Sequence, residues 1–170
     1  YDIPRIFTAA AQWGACMVYV LILKKRFGRI KTILLSLPFL ILQCVLLLST
    51  ENLSPIWWTP VLAAALALMW IMLAALCRNG KKELGYAALC AFLSAETTTA
   101  LEWLIHYYVV YICGVDMPAV KIALPILLFG IFFIIVWMAE RKLLDRINGF
   151  RVMKKEIYVT LGIIIFVFVY

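Results

Sequence analysis

The run LGYAALCAFLSAETTTALEWLIHYYVVYIC, residues 84–113, decides how this 170-residue chain is read. It is long and apolar enough to be a membrane-crossing helix, yet it carries Glu96, Glu102 and His106. A charged side chain at the centre of a bilayer costs roughly 2.5–3.5 kcal/mol on insertion scales, so such groups turn toward a bundle interior or a water cavity. On a helical projection Ala95, Thr99, Glu102 and His106 fall within an arc of about 60°, and Glu96 and Glu102 flank Thr99 by about 60° on either side. Leu93, Leu101, Leu104 and Tyr108 take the far side. Ala87, Ala91, Ala95 and Thr99, at steps of four, make a small-residue ladder that lets neighbouring helix backbones approach closely. The polar arc is therefore expected to face other helices.

Composition fixes the medium. Hydrophobic residues make up 66% of the chain and the mean hydropathy is +1.03, against roughly 45–50% apolar residues in a soluble domain. The apolar runs recur through the whole length and exceed a signal-peptide core, so none reads as a removable leader. The expected fold is all-α, a polytopic transmembrane helix bundle of about six helices forming one domain, with spans near 6–23, 32–50, 56–76, 84–106, 119–139 and 157–170. The last run stops at Tyr170 after about fourteen residues, short of the ~20 needed to cross. The chain is therefore expected to be part of a longer protein.

Between the spans lie polar breaks. Pro4 suits a helix start, and Ala10 with Gly14 gives the first helix a close-packing face. Pro38, inside the second run, predicts a kink. Trp57 and Trp58 open the third span, and Tyr107, Tyr108 and Tyr111 close the fourth; both groups read as membrane-interface anchors. Lys and Arg number five in the first break, three in the third and six in the fifth, against Arg5 and Lys121 on the other side, which is fourteen against two. Cytoplasmic loops retain basic residues. Lys24, Lys25, Arg26, Lys81, Lys82, Lys154 and Lys155 are thus expected inside, Glu51 and Asp116 outside, and the N-terminus outside. The net charge of +7 then follows from topology, with the lipid bilayer rather than nucleic acid as the partner of the basic blocks.

The ionisable residues differ in depth. Counted from Leu84 at about 1.5 Å per residue, Glu96 lies ~18 Å in, while Glu102 and His106 lie ~27 and ~33 Å in, at the far boundary of the hydrocarbon. Glu102 and His106 are four apart, within hydrogen-bonding reach, and are expected to form a solvated interfacial pair. Glu96 needs a protein or trapped-water partner, and Gln12, Gln43 or a threonine would serve. The candidate polar-cavity or ligand residues are thus Glu96, Thr99, Glu102, His106, Gln12 and Gln43. Trp13, Trp57, Trp58 and Trp103 are alternatives for lining an outer aromatic pocket, with anchoring the simpler role.

Several chemistries lack their parts. There is no H-E-x-x-H, G-x-S-x-G or Walker loop. One histidine excludes a His-rich metal site. Cys16, Cys44, Cys77, Cys90 and Cys113 are scattered without a C-x-x-C pair and read as small buried apolar residues. No catalytic residue, metal or cofactor is expected within these 170 residues, so the segment is not read as an enzyme.

The opening Asp2-Ile3-Pro4-Arg5-Ile6-Phe7-Thr8-Ala9-Ala10, with Gln12-Trp13, Leu23-Lys24-Lys25-Arg26 and the later Glu96-Thr97-Thr98-Thr99, resembles the membrane region of Gram-positive bacterial sensor histidine kinases. These carry a GHKL-type ATPase domain, and the class includes quorum-sensing peptide receptors. The resemblance implies a multi-pass sensor module in a bacterial plasma membrane, homodimeric, responding to an extracellular peptide or small molecule and feeding a two-component signal-transduction kinase. The phospho-accepting histidine region and ATP-binding motifs are absent from this sequence, so no catalytic role carries over. Since six spans leave the chain outside, the sensor reading further expects a seventh span and a cytoplasmic signalling domain beyond Tyr170. The rival reading is a small membrane transporter or substrate-binding membrane subunit with Glu96 as its coupling carboxylate. An intramembrane enzyme would need paired acid–base groups at one depth, whereas Glu96 and Glu102 are ~9 Å apart along the axis.

Overall fold

The computed structural model describes residues 5–50, 54, 57–112, 114 and 118–146. They form five helices: α1 Arg5–Ile22, α2 Arg29–Ser49, α3 Trp58–Leu76, α4 Lys81–Tyr107, continued by a π-helical turn Tyr108–Ile112, and α5 Pro118–Arg146. No strand occurs among the described residues. The expected sixth span, 157–170, lies outside them, as do Glu51, Asp116, Lys154 and Lys155.

Helices outrun the apolar windows. α2 starts at Arg29, not residue 32, and α4 at Lys81, not 84, because Gly28 and Gly80 are extended while the Arg and Lys residues that follow are good helix formers. Residues 140–146, expected in a connector, instead extend α5 to Arg146. Glu140, Arg141, Lys142 and Leu143 have no propensity to stop a helix, so α5 carries helical structure past its apolar stretch.

Four segments are long and apolar enough to cross a membrane: α1, α2, α3 and Ile122–Lys142 of α5. The chain is a membrane protein. α4 is not among the four, since its terminal lysines, two interior glutamates and His106 dilute its apolar character. Its polar groups are accommodated sideways: α4 packs against α1, α3 and α5, and its pairing with α1 is the most extensive in the bundle. Small residues bring the two axes together. Ala11 and Ala15 of α1, and Ala87, Ala88, Ala91 and Ala95 of α4, are all buried. Membrane helices associate through such close packing because lipid tails are as apolar as leucine.

The bundle is inside-out relative to a soluble protein. Ile33, Leu34, Ile41 and Leu42 of α2, and Ile126, Leu127, Ile134 and Ile135 of α5, are exposed, while Gln12, Gln43, Thr98, Glu102 and His106 are buried. Apolar surface outside and polar groups inside is the arrangement that a hydrocarbon solvent selects.

One end is tied by backbone. Arg26 N donates to Leu76 O and Arg78 N to Lys24 O, both at 2.8 Å, which makes an antiparallel bridge of Lys25 and Cys77. Asn79 Oδ1 accepts from Lys24 N at 3.0 Å, and Asn79 Nδ2 donates to Glu83 Oε2 at 2.8 Å. The first and third basic breaks thus share one end of the bundle. At the opposite end Arg5 Nη1 donates to Thr50 O at 3.1 Å.

Candidate functional site

Three helices contribute to a polar chain in the interior. Gln43 Nε2 of α2 donates to Gln12 Oε1 of α1, and Gln12 Nε2 donates to Glu96 Oε1 of α4 at 3.2 Å. Measured along their helices from the basic end at about 1.5 Å per residue, Gln12, Glu96 and Gln43 lie at ~15, ~22 and ~21 Å, the middle of the bundle. Gln12 is fully buried and Gln43 nearly so, while Glu96 is half-buried. The carboxamide of Gln12 suits the central place because it donates and accepts at once.

Glu102 and His106 are the second constellation. Each is about 1% exposed, and His106 Nδ1 lies 3.4 Å from Glu102 Oε1. The expectation of a solvated interfacial pair is therefore corrected. Axial distance placed them at the hydrocarbon boundary, but lateral packing sets exposure, and α1 and α5 run alongside α4. Neither Glu102 oxygen accepts a hydrogen bond among the described residues. A buried carboxyl and imidazole one turn apart can share or exchange a proton.

The threonines do less. Thr97, Thr98 and Thr99 donate back to Leu93 O, Ser94 O and Ala95 O at 2.7, 2.5 and 2.9 Å, each satisfying its hydroxyl within the helix. Thr98, not the candidate Thr99, is the buried member.

The aromatics read as interface anchors lie at or near helix ends. Trp57, Trp58, Tyr107, Tyr108 and Tyr111 are all about half exposed. Trp103, Tyr107 and Tyr111 form a ladder with ring centroids 5.9 and 5.1 Å apart. Trp58 has a second contact, the Arg5 guanidinium 5.5 Å from its ring centroid. These two residues, with Thr8, Leu47, Val61 and Leu62, line a cavity of about 170 Å³ between α1, α2 and α3 at the end opposite the basic loops. Trp13 instead donates its indole N–H to Ser36 O of α2 at 3.2 Å. Among the predicted cytoplasmic residues, Lys24, Lys25, Arg26, Lys81 and Lys82 lie at the bridged end.

Two participants were not foreseen. Tyr19, buried in α1, donates its hydroxyl to Glu140 Oε1 of α5 at 2.9 Å; the signal in sequence was an acidic residue opening an otherwise basic segment. Arg5 at the cavity was visible as one of two cations, with Lys121, on the sparsely basic side, but only as a topology marker. Cys16, Cys44, Cys77 and Cys90 are not joined in disulfides. Among the described residues no three His, Cys, Asp or Glu side chains gather into a metal-binding group.

Comparison with known proteins returns no matching family model, no matching curated protein and no matching solved structure.

Proposed function

We propose that this chain is a membrane-embedded receptor module, oriented with the N-terminus outside and the bridged basic end in the cytoplasm, that senses an extracellular peptide or small molecule for a bacterial two-component histidine kinase. The observation that carries the reading is the Glu102–His106 pair, nearly excluded from solvent at the end opposite the basic loops. Ionisable groups inside a membrane bundle are costly and mark functional positions; a group that only anchors a helix has no need of burial. The fourteen-to-two distribution of basic residues gives the orientation. In this reading α4 crosses with the other four helices, a sixth span follows at 157–170, and two copies pair to drive the kinase.

The mid-depth chain favours a receptor over a transporter. Alternating access needs a substrate site near the midplane that opens first to one side and then to the other. Here Gln43, Gln12 and Glu96 tie α2, α1 and α4 together at that depth, and separating those helices would strand polar groups in hydrocarbon.

Autophosphorylation of the native full-length protein in membrane vesicles, with radiolabelled ATP and culture supernatant on the outer face, tests the reading. Glu102→Gln and His106→Gln are expected to abolish the supernatant-dependent increase at unchanged protein level. Solute uptake driven by a proton gradient and lost in Glu96→Gln, with no phosphorylation, would replace the receptor with a transporter. Cysteine-accessibility labelling checks the orientation separately: positions Lys25 and Lys81 react from the inside and Ser54 from the outside.

A further inference from the structure

A second concavity, a groove of about 480 Å³, runs between α3 and α4 on the outer surface of the bundle. Leu66, Ala67 and Leu89 give it apolar walls, and Trp70, Lys82 and Tyr86 stand toward the basic end. Its far limit, Ala63, is about 20 Å from the end of α3 at 1.5 Å per residue, the reach of much of an acyl chain.

Two polar groups at the basic end of this groove make no hydrogen bond or ion pair among the described residues. Lys82 is exposed and makes no ion pair or hydrogen bond among the described residues. The nearest acid in sequence, Glu83, is turned to Asn79. Trp70 is 39% exposed, and its indole nitrogen faces Gly85, where even an added Cβ would stand 3.9 Å away. The missing side chain at Gly85 leaves the groove open beside that N–H. Lys82 and Gly85 are separated by about 4.5 Å along α4, the step between the phosphate of a glycerophospholipid and its ester carbonyls. The first-turn amides of α4 reinforce the positive end, because Gly80 supplies no side-chain cap and uncapped helix N-termini favour phosphate.

We propose that the α3–α4 groove is a binding site for one anionic glycerophospholipid, its acyl chain along Leu66, Ala67 and Leu89, its phosphate on Lys82 and an ester carbonyl accepting from the Trp70 N–H. Net negative charge is required. A zwitterionic headgroup carries its own ammonium into the field of Lys82, Lys81 and Arg78, whereas anionic lipid gains from each of them. The site stands whichever face of the membrane the basic end occupies, and so is independent of the receptor reading.

Native mass spectrometry of the chain extracted from nanodiscs of phosphatidylcholine with a minority of phosphatidylglycerol tests it. One phosphatidylglycerol is expected to be retained well above its bulk proportion. Lys82→Gln, at an exposed position that leaves folding intact, lowers that retention about fivefold, as loss of one interfacial cation implies. Ala67→Trp fills the groove and removes bound lipid of either headgroup, while Lys25→Gln, outside the groove, changes nothing. Retention at bulk proportion, or an equal loss from Lys25→Gln, would overturn the proposal. So would disulfide formation between Ala67→Cys and Gly162→Cys, which would seat the chain's own 157–170 segment in the groove.

Discussion

The Tyr19 hydroxyl of α1 donates to Glu140 Oε1 of α5 over 2.9 Å, across 121 residues of sequence. A hydrogen bond to a charged group contributes about 1.5–3 kcal/mol, and here it joins α1 to α5. Tyr19→Phe is expected to lower stability in bicelles by about that amount. In a double-mutant cycle with Glu140→Ala, which removes the acceptor, a coupling of about 1 kcal/mol or more is expected; strict additivity would mean the bond contributes nothing.

Glu96 accepts from Gln12, which in turn accepts from Gln43. Glu96→Gln keeps an oxygen for the Gln12 amide and should express like the parent. Glu96→Lys sets an ammonium against a donor and removes the acceptor, so folded protein should fall severalfold by size-exclusion yield. Gln12→Leu should cost about 2–3 kcal/mol, since it leaves a donor and an acceptor unsatisfied at once. Equal yields of the Gln and Lys variants at position 96 would show that this side does not face protein.

Gly14 meets Phe133 of α5. A Cβ on Gly14 would lie 2.8 Å from Phe133 Cε2, so the ring must tip to admit even alanine. Gly14→Ala gains about 1 kcal/mol of helix propensity against an overpacking cost of about 1–3 kcal/mol, leaving a small net loss. Gly14→Leu gains nearly the same propensity but must force a whole side chain into the Phe133 ring, and should be strongly destabilising. Phe133→Ala added to Gly14→Leu should recover much of the loss; thermal unfolding that shows no recovery would place the strain elsewhere.

Cys77, just past the end of α3, has its thiol pushed up to about 11 by burial, with the nearby charges of Lys25 and Arg26 pulling the other way. The thiolate is the reactive form, so maleimide should modify Cys77 slowly at neutral pH in the folded protein. Its rate should still be climbing with pH above 9, where an ordinary thiol has levelled off. Rapid labelling at pH 7 without denaturant would show that the bridge to Lys25 opens.

The helices were legible because hydrocarbon imposes length and polarity on each span separately, so the cores of α1, α2, α3 and α5 could be placed from local sequence. The 3.6-residue period also placed the buried face of α4 through Ala87, Ala91, Ala95, Glu102 and His106. Exposure was less accessible. The depth of Glu102 followed from counting residues, but its burial depends on how far α1 and α5 extend beside it, a quantity no single helix encodes. The acidic Glu140 stood out in its basic segment, but its pairing with Tyr19 could not be read for the same reason, since it depends on the rotation of two helices distant in sequence. Thr98 and Thr99 show the limit of a projection: both lie near the polar arc, and a 100° difference decides which is covered.

The backbone bridge at Lys25 and Cys77 divides the bundle into parts of unequal freedom. Its main-chain pair joins the ends of α1 and α3, and the Asn79 side chain ties that junction to the start of α4 through Lys24 N and Glu83. Among the described residues α5 is held against α1 by side-chain contacts, a ring against a glycine at Gly14 and Phe133 and a hydroxyl against a carboxylate at Tyr19 and Glu140. The first is a fulcrum and the second a latch. Tilting α5 about Gly14 would therefore part Tyr19 from Glu140 without breaking any backbone hydrogen bond between α1 and α5 among the described residues.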